Sequence, residues 1–406
     1  MWNALTRFWR DRMTFNTAAP TVPPTAWMDL TQQAGSLLTY NVKDSDLVSL
    51  MLYHLVEPQL NAGLYVGSDM FVLADFTKAL ERRRNQFLLE TGMVTTAAVV
   101  NGPAPSAGRL VLPDSVMDVR RAAWIDANGV FTTLWRSDEW AAEAFKNRWE
   151  TSPSNPPQAY STAVEPPVTL QLIPGNSDVG QVELVTVSSG ASLNPTAGVL
   201  LGVPDDFAWV VKWGALADLL GREGQSKDTE RAQYCEFRWK EGVALARIFT
   251  SVMAGYINGV EAFVGPVRSL DTYRAGWQNQ TPAKPDTLTA MSWNLLAASP
   301  IPDAGAYSIM LDVVKNTPVP VNPTDQIQLG REELDVILDY AEHLAAFKQA
   351  GKEFMDSAPK YQNMIALAQL RNERLKKGIP FYTPLMSRAT VQEREDPRRE
   401  PVEAGS

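Results

Sequence analysis

The chain has little of what catalytic or covalently stapled proteins are usually built from. Cys235 is the only cysteine among 406 residues, which excludes an intramolecular disulfide and a cysteine-rich zinc site. The two histidines, His54 and His343, lie far apart, and neither has the His or Cys neighbour at i,i+4 that a helical zinc site needs. No stretch approaches the roughly 18 apolar residues of a membrane span. The basic start Met1-Trp2-Asn3-Ala4-Leu5-Thr6-Arg7-Phe8-Trp9-Arg10 is not followed by the apolar core of a secretion signal. The expectation is a soluble chain, made in a reducing cytoplasm and without membrane contact. Positive charge is also in deficit, with 37 Lys and Arg against 46 Asp and Glu and a net charge of −9. A surface that grips DNA phosphates needs the opposite excess.

Residues that could suggest chemistry have simpler readings. Gly221-Arg222-Glu223-Gly224-Gln225-Ser226-Lys227 places two residues between its glycines, whereas a phosphate-binding loop needs four and then Lys-Ser/Thr directly. It reads as a turn between helices. The acidic pairs Asp138-Glu139, Asp205-Asp206 and Glu332-Glu333 each fall at a predicted helix start, where the backbone dipole favours negative charge. That position accounts for them without a hydrolytic carboxylate pair. Cys235 lies in a helical stripe and reads as a small buried hydrophobe. No catalytic residue, metal ligand or cofactor is expected.

What the sequence does contain is core. Hydrophobic residues make up 45% of the chain, enough for two or three domains. Among the 28 prolines, clusters at Pro20–Pro24, Pro153–Pro157, Pro166-Pro167 and Pro318–Pro323 mark joints between elements. Residues 1–25 read as an N-terminal arm. Residues 26–92 and 204–258 read as a helical bundle: Leu47, Leu50, Met51, His54 and Leu55 follow Asp44-Ser45, and Val72, Phe76, Leu80, Arg83 and Phe87 follow Ser68-Asp69, up to Gly92. Pro204-Asp205-Asp206 opens a helix to about Leu220, and Asp228 opens another to about Ile257. Between them, residues 93–203 read as an inserted β domain with one helix. Its strands are 93–101, 109–112, a hairpin of 116–126 with 130–135 around Asn128-Gly129, then 167–175 and 181–187. Its helix, Asp138 to Trp149, is capped by Ser137 and carries Trp140, Ala144 and Phe145 on one side. Residues 259–330 show little regular pattern and read as an extended segment wrapping over a neighbour. Residues 331–380 read as C-terminal helices, Arg331 to Met355 and about Tyr361 to Lys377, and 381–406 as a flexible tail. The expected fold class is therefore α+β: mainly a helical bundle interrupted by a small antiparallel β domain, with an extended and helical C-terminal extension.

Twelve tryptophans are a heavy load. Trp124, Trp135, Trp140 and Trp149 bracket the β unit, where core is the default. Trp209, Trp213 and Trp239 fall on or beside helix faces and, with Tyr340, Phe381 and Tyr382, are the candidate subunit or partner contacts, because large aromatics are enriched at interfaces.

The order of parts is distinctive: helices, Leu110-Val111-Leu112-Pro113-Asp114, a Trp-containing hairpin, Leu134-Trp135-Arg136-Ser137-Asp138, a Pro157-x-x-Tyr160 joint, Leu170-Gln171-Leu172-Ile173-Pro174, and Pro204-Asp205-Asp206 opening a helix. It resembles the head-to-tail adaptor (connector, neck) proteins of tailed bacteriophages over roughly residues 26–255. Ala215–Leu220 and Arg231–Glu236 look like that family's closing helix pair. The resemblance implies a non-enzymatic virion protein at the head–tail junction. It would form a ring of identical subunits, usually twelve, docked under the portal protein. The ring would complete the channel for double-stranded DNA without sequence-specific binding, retain the packaged genome and offer a tail or nozzle protein its attachment surface. The acidic balance suits a channel along which DNA slides. Two other readings stand beside it: another tail component (nozzle, tube or baseplate), and a virion-associated hydrolase, for which the sequence supplies no converging carboxylates or His/Cys cluster.

Overall fold

The structure, a computed structural model, describes residues 10–17, 27–30, 39–57, 70–102, 108–145, 149, 156–163, 167–175, 180–248, 254–303, 307–314 and 334–378. It divides into two units, Phe8–Asn316 and Thr317–Ser406 with Met1–Arg7.

The larger unit begins with β1 (Arg10–Thr17) and β2 (Trp27–Asp29), followed by helices α1 (Asp44–Leu55) and α2 (Leu73–Thr91). Next come β3 (Thr96–Asn101), β4 (Arg109–Val111), β5 (Val116–Ile125), β6 (Phe131–Arg136), α3 (Glu139–Phe145), β7 (Ala159–Ala163), β8 (Thr169–Ile173) and β9 (Gln181–Ser188). Helices α4 (Ala208–Gly221) and α5 (Thr229–Ile248) lead to β10 (Ala254–Ile257), β11 (Val260–Pro266), α6 (Val267–Tyr273), β12 (Thr287–Ala290), β13 (Leu295–Ser299) and β14 (Tyr307–Val314). The strands form two seven-stranded sheets, ordered β1-β14-β10-β11-β12-β13-β2 and β3-β9-β5-β6-β7-β8-β4. Each is antiparallel but for one parallel pair, β11 with β12 and β6 with β7.

This corrects the expected fold class. The protein is α+β with two mixed seven-stranded sheets beside its helices, not mainly a helical bundle with one small antiparallel β domain. The first sheet is the part the sequence concealed. Residues 259–330 were expected to wrap irregularly, yet they carry β11 to β14. Leu295–Ser299 is buried at every position, so covered faces erase the alternation that marks a half-exposed strand. The helix expected to reach Ile257 is described to Ile248, residues 254–257 are strand β10 instead, and β10 turns into β11 through Asn258 and Gly259, both at positive φ (53° and 79°). That is the same Asn-Gly hairpin signal as at Asn128-Gly129. Part of the expected N-terminal arm is β1, paired with β14 along its full length. Helix α3 is capped by Asp138, whose Oδ1 accepts from the Ala141 N–H at 2.6 Å, and not by Ser137.

The helices α1, α2, α4 and α5 pack as one layer. Helix α4 is apolar nearly all round, which places it centrally. It meets α5 closely: a Cβ on Gly242 would lie 2.4 Å from Val210 Cγ2, and one on Gly214 would lie 2.5 Å from Trp239. Arg83 of α2 joins the layer by donating to Asp218 of α4 (2.6 Å) and Glu236 of α5 (2.9 Å). The turn at Gly221–Lys227 connects α4 and α5 as expected, with Lys227 donating to Glu223.

The two sheets share a core where β2 and β13 of the first meet Val185 of β9 and Ala97 of β3. Leu296 and Ala298 of β13 join Ile257, Leu288 and Ile309 in the core on one side of the first sheet. Leu295 and Ala297 point the other way and meet Trp27, Val185 and Trp277 between the sheets. A third core, around Trp124, Leu134, Tyr160 and Leu172, fills the opposite face of the second sheet.

At the sheet junction lies a buried ion network. Arg121 of β5 donates from Nη1 to Glu183 Oε1 of β9 (2.9 Å), from Nε and Nη2 to the two oxygens of Asp271 in α6 (3.0 and 2.9 Å), and from Nη2 to Gln278 Oε1 (2.7 Å). Gln278 returns a bond to Glu183, and Trp277 Nε1 donates to Asp271. The guanidinium sits 5.5 and 5.7 Å from the ring centroids of Trp27 and Trp277.

In the smaller unit α7 (Leu334–Gln349) turns through Ala350 and Gly351, at φ 61° and 68°, into α8 (Gly351–Gly378). The expected single helix to Met355 is thus broken at a left-handed pair, and Pro359 lies within α8, where no gap between helices occurs. Tyr340, His343 and Phe347 face Phe354, Ser357, Tyr361 and Met364, a seam at three- and four-residue steps.

Arg121→Ala leaves two carboxylates buried without their cation, and removing one partner of such a network costs about 3–5 kcal/mol. Urea denaturation is expected to show a loss of that size, whereas Arg82→Ala, at an exposed ion pair, is expected to change stability by less than about 1 kcal/mol.

Candidate assembly surface

The most conspicuous surface features are large aromatics facing solvent. Trp140 in the first turn of α3 is 87% exposed, Tyr273 at the end of α6 is 86% exposed and Trp135 of β6 is 52% exposed. Two of their elements are held together: Thr133 of β6 donates to Asp271 of α6, and the Phe131 N–H donates to Asn279 Oδ1 while Asn279 Nδ2 donates back to the Phe131 carbonyl. Thr133 and Trp135 share one face of β6 by strand periodicity. The side of α3 that the sequence marked as apolar faces outward at Trp140 and Ala144, and Ala142 turns inward. A second apolar stripe runs along α1, where Leu50, Tyr53 and Val56 are exposed opposite the buried Leu47, Val48, Met51 and Leu52.

The candidate contacts read from sequence fall elsewhere. Trp213 and Trp239 are buried within the helix layer, and Trp209 is half-buried there. Tyr340 is buried in the α7–α8 seam, its ring centre 5.6 Å from that of Tyr361 and tilted by 36°. Phe381 and Tyr382 lie outside the described residues. Of the four tryptophans assigned to the β unit, Trp124 and Trp149 are core while Trp135 and Trp140 are not. Tyr273 carried no local sequence signal.

The buried helix-layer tryptophans hold cations. Both Lys212, whose Nζ is 4.7 Å from the Trp213 ring centre, and Arg238, at 5.9 Å, approach Trp213, and Arg238 also lies over Trp209 at 5.3 Å. Lys212 Nζ is 3.3 Å from His54 Nε2, so a charged Lys212 requires a neutral His54 accepting through Nε2. Arg231 donates to the His54 carbonyl at 2.8 Å. Burial, reinforced by Arg238, pushes the Lys212 ammonium down to about 8. Burial pushes the Cys235 thiol up, which makes it a poor nucleophile. In the smaller unit His343 Nδ1 is 2.8 Å from Ser357 Oγ, whose own hydrogen goes to the Phe354 carbonyl. His343 therefore donates from Nδ1.

The acidic pairs behave individually. Asp138 caps α3. Asp205 Oδ1 accepts the N–H groups of Asn41 and Val42, both at 2.8 Å, and so ties the segment before α1 to the start of α4 instead of capping its own helix. Glu332-Glu333 lies outside the described residues. Among the described residues no three His, Cys, Asp or Glu gather as a metal site, and no helix is long and apolar enough to cross a membrane. Compared with family models and with curated proteins, the chain matches none.

The Lys212 shift has a signed consequence. Between pH 8 and about 10.5 the unfolded chain holds more protons on this lysine than the folded one, so folding stability rises with pH across that window. Below pH 8 the full cost of burying the charge remains, up to roughly 3 kcal/mol. Lys212→Met is expected to raise stability at pH 7 and to flatten that rise, as read by urea melts at a series of pH values; an unchanged slope would refute the assignment.

Proposed function

We propose that this chain is a non-enzymatic structural protein of a tailed-phage virion, a head-to-tail adaptor. Identical copies form a ring beneath the portal, continue the DNA channel, retain the packaged genome and present the tail with its attachment surface. The observation that carries the self-assembly part of this reading is the set of solvent-facing aromatics: Trp135 and Tyr273 on the linked β6 and α6, and Trp140 on α3, which follows β6 in the chain. A large aromatic buries 150–250 Å², so covering each contributes roughly 4 to 6 kcal/mol before the costs of association. Exposed large aromatics that would otherwise stay in water are enriched at contact faces. The adaptor part rests on the resemblance in the order of elements, with a β unit between α2 and α4.

One observation favours a second reading. The sheet built from β1, β2 and β10 to β14 lies largely outside the stretch that resembles adaptors. A tail component such as a nozzle, tube or baseplate protein accommodates a large additional sheet more readily.

Electron microscopy of the purified full chain, alone and with portal, tests both readings. The adaptor reading expects rings that bind portal. Rings or tubes that ignore portal and bind tail proteins favour the second, and a monomer in both conditions removes the two together. Trp140→Ser combined with Tyr273→Ser is expected to disperse the rings with the melting temperature unchanged, since each contact residue of this type is worth about 2 kcal/mol or more, some thirtyfold in affinity.

A further inference from the structure

Helix α1 is tied to its surroundings at both ends, by different chemistry. At its start Asp44 Oδ2 accepts the Asn194 N–H at 2.6 Å, the Asp44 N–H donates to the Val199 carbonyl at 2.9 Å, and Asp205 holds Asn41 and Val42. None of these groups titrates near neutral pH. At its end the contact is His54, which is buried. Lys212 Nζ of α4 lies 3.3 Å from His54 Nε2, Arg231 of α5 donates to the His54 carbonyl at 2.8 Å, and the imidazole lies 5.3 Å from the Trp213 ring.

Around this pair α5 contributes Arg231, Tyr234, Cys235 and Arg238, and α1 contributes Tyr53. The carboxylates of α5 accompany its arginines: Asp228 is 3.7 Å from Arg231 and Glu241 is 3.6 Å from Arg238. Among the described residues no carboxylate lies within ion-pair distance of Lys212, and the fixed charge that acts on it is that of Arg238. The Lys212–His54 contact holds while the two side chains share one proton. A charged Lys212 donates to the lone pair of a neutral His54, and a neutral Lys212 accepts from a protonated Nε2. A second proton leaves two cations 3.3 Å apart with no acceptor between them.

We propose that His54 and Lys212 form an acid-sensitive latch between α1 and α4, in which the second proton detaches the C-terminal turn of α1 while the start of the helix stays bound. Detachment returns both side chains to water, where an imidazole takes its proton at about pH 6.5 and a lysine keeps its own. The attached form excludes that second proton and the detached form binds it. Acid therefore shifts the balance toward detachment, by up to about tenfold per pH unit below 6.5. The resistance of the layer to positive charge is visible at Lys212 itself, whose ammonium is pushed down to about 8 by burial and then by Arg238. The turn that moves carries the exposed Tyr53 and Val56, and its departure takes His54 off the buried Trp213 ring. Acidity is thereby coupled to apolar surface in the helix layer, independently of whether the chain forms a ring.

The test is hydrogen–deuterium exchange of the full-length chain at about pH 7, 6 and 5, a range that brackets the ordinary imidazole value. Exchange is read by mass spectrometry after correction for the intrinsic pH dependence of amide exchange, in peptides covering the two ends of α1. Amides of the last turn are expected to exchange at least about tenfold faster at pH 5 than at pH 7, and those of the first turn to change by less than about twofold. His54→Gln keeps an acceptor for Lys212 but cannot take the proton, and should abolish the rise. Lys212→Met removes the opposing cation, so the rise should shrink or move to lower pH. A flat profile, a uniform rise along the whole of α1, or a rise unchanged in His54→Gln overturns the proposal. If His54→Gln has lost its helical circular dichroism at pH 7, Lys212→Met decides alone, and an unchanged rise in that variant removes the latch.

Discussion

The arrangement of the larger unit depends on the burial of one guanidinium. Arg121 cannot stand between two sheets without acceptors on both sides, because an unpaired charge there would cost several kcal/mol. Glu183 supplies one from its own sheet, and Asp271 and Gln278 supply the others from the segment that follows β11. The planar fork can satisfy these only in one relative setting of the sheets. Apolar contacts such as those of Trp27, Val185 and Leu295 would tolerate sliding by a fraction of a residue. The ion network does not, so it fixes what the hydrophobic contacts merely favour. The same network anchors α6 against β6 through Asp271 and Thr133, and this holds Tyr273 and Trp135 on rigid elements. A solvent-facing aromatic on a fixed scaffold loses little conformational entropy when covered.

How much of this was legible depended on whether the local pattern survived burial. Helices α1, α2 and α4 announced themselves because each leaves a side exposed or begins at an unmistakable Pro-Asp-Asp. The Asn128-Gly129 hairpin was visible, and Asn258-Gly259 offered the identical cue but lay at the end of a long apolar run that reads equally well as helix. Strand β13, with both faces covered, has no period for a sequence reading to detect. Of the site, the excess of tryptophan was legible and its distribution was not. Trp213 and Trp239 sit at helical spacings that suit a core or an interface equally. The structure assigns them to cation-holding positions inside the layer, and it leaves Trp140 in solvent. Arg121 gave no signal, because a strand arginine is ordinarily a solvated edge residue and only the bulge between Val119 and Arg121 turns it inward.

The element order on which the adaptor resemblance rests, two helices, a β unit and two further helices, is present in the chain. What the resemblance left out is a sheet assembled from both flanks, residues 10–29 and 254–314. Its two edges, β1 and β2, both come from the N-terminal flank, so the start of the chain is stitched across the strands that follow α5. Such long-range pairing is slow to form, and it makes the N-terminal strands a late-closing part of the unit.

On the assembly reading proposed above, two features of the described residues belong together: β3, a six-residue sheet edge without charge or proline, and the solvent-facing Trp135, Trp140 and Tyr273. Either feature alone invites aggregation, and selection removes such surfaces cheaply by a single Lys or Pro. The protein does manage its edge elsewhere, since β4 is short and carries an arginine. If the proposed ring forms, its contact is heterologous, with two different faces of each subunit meeting, and a short charged edge at β4 beside a longer uncharged one at β3 is an asymmetry of that kind within one sheet.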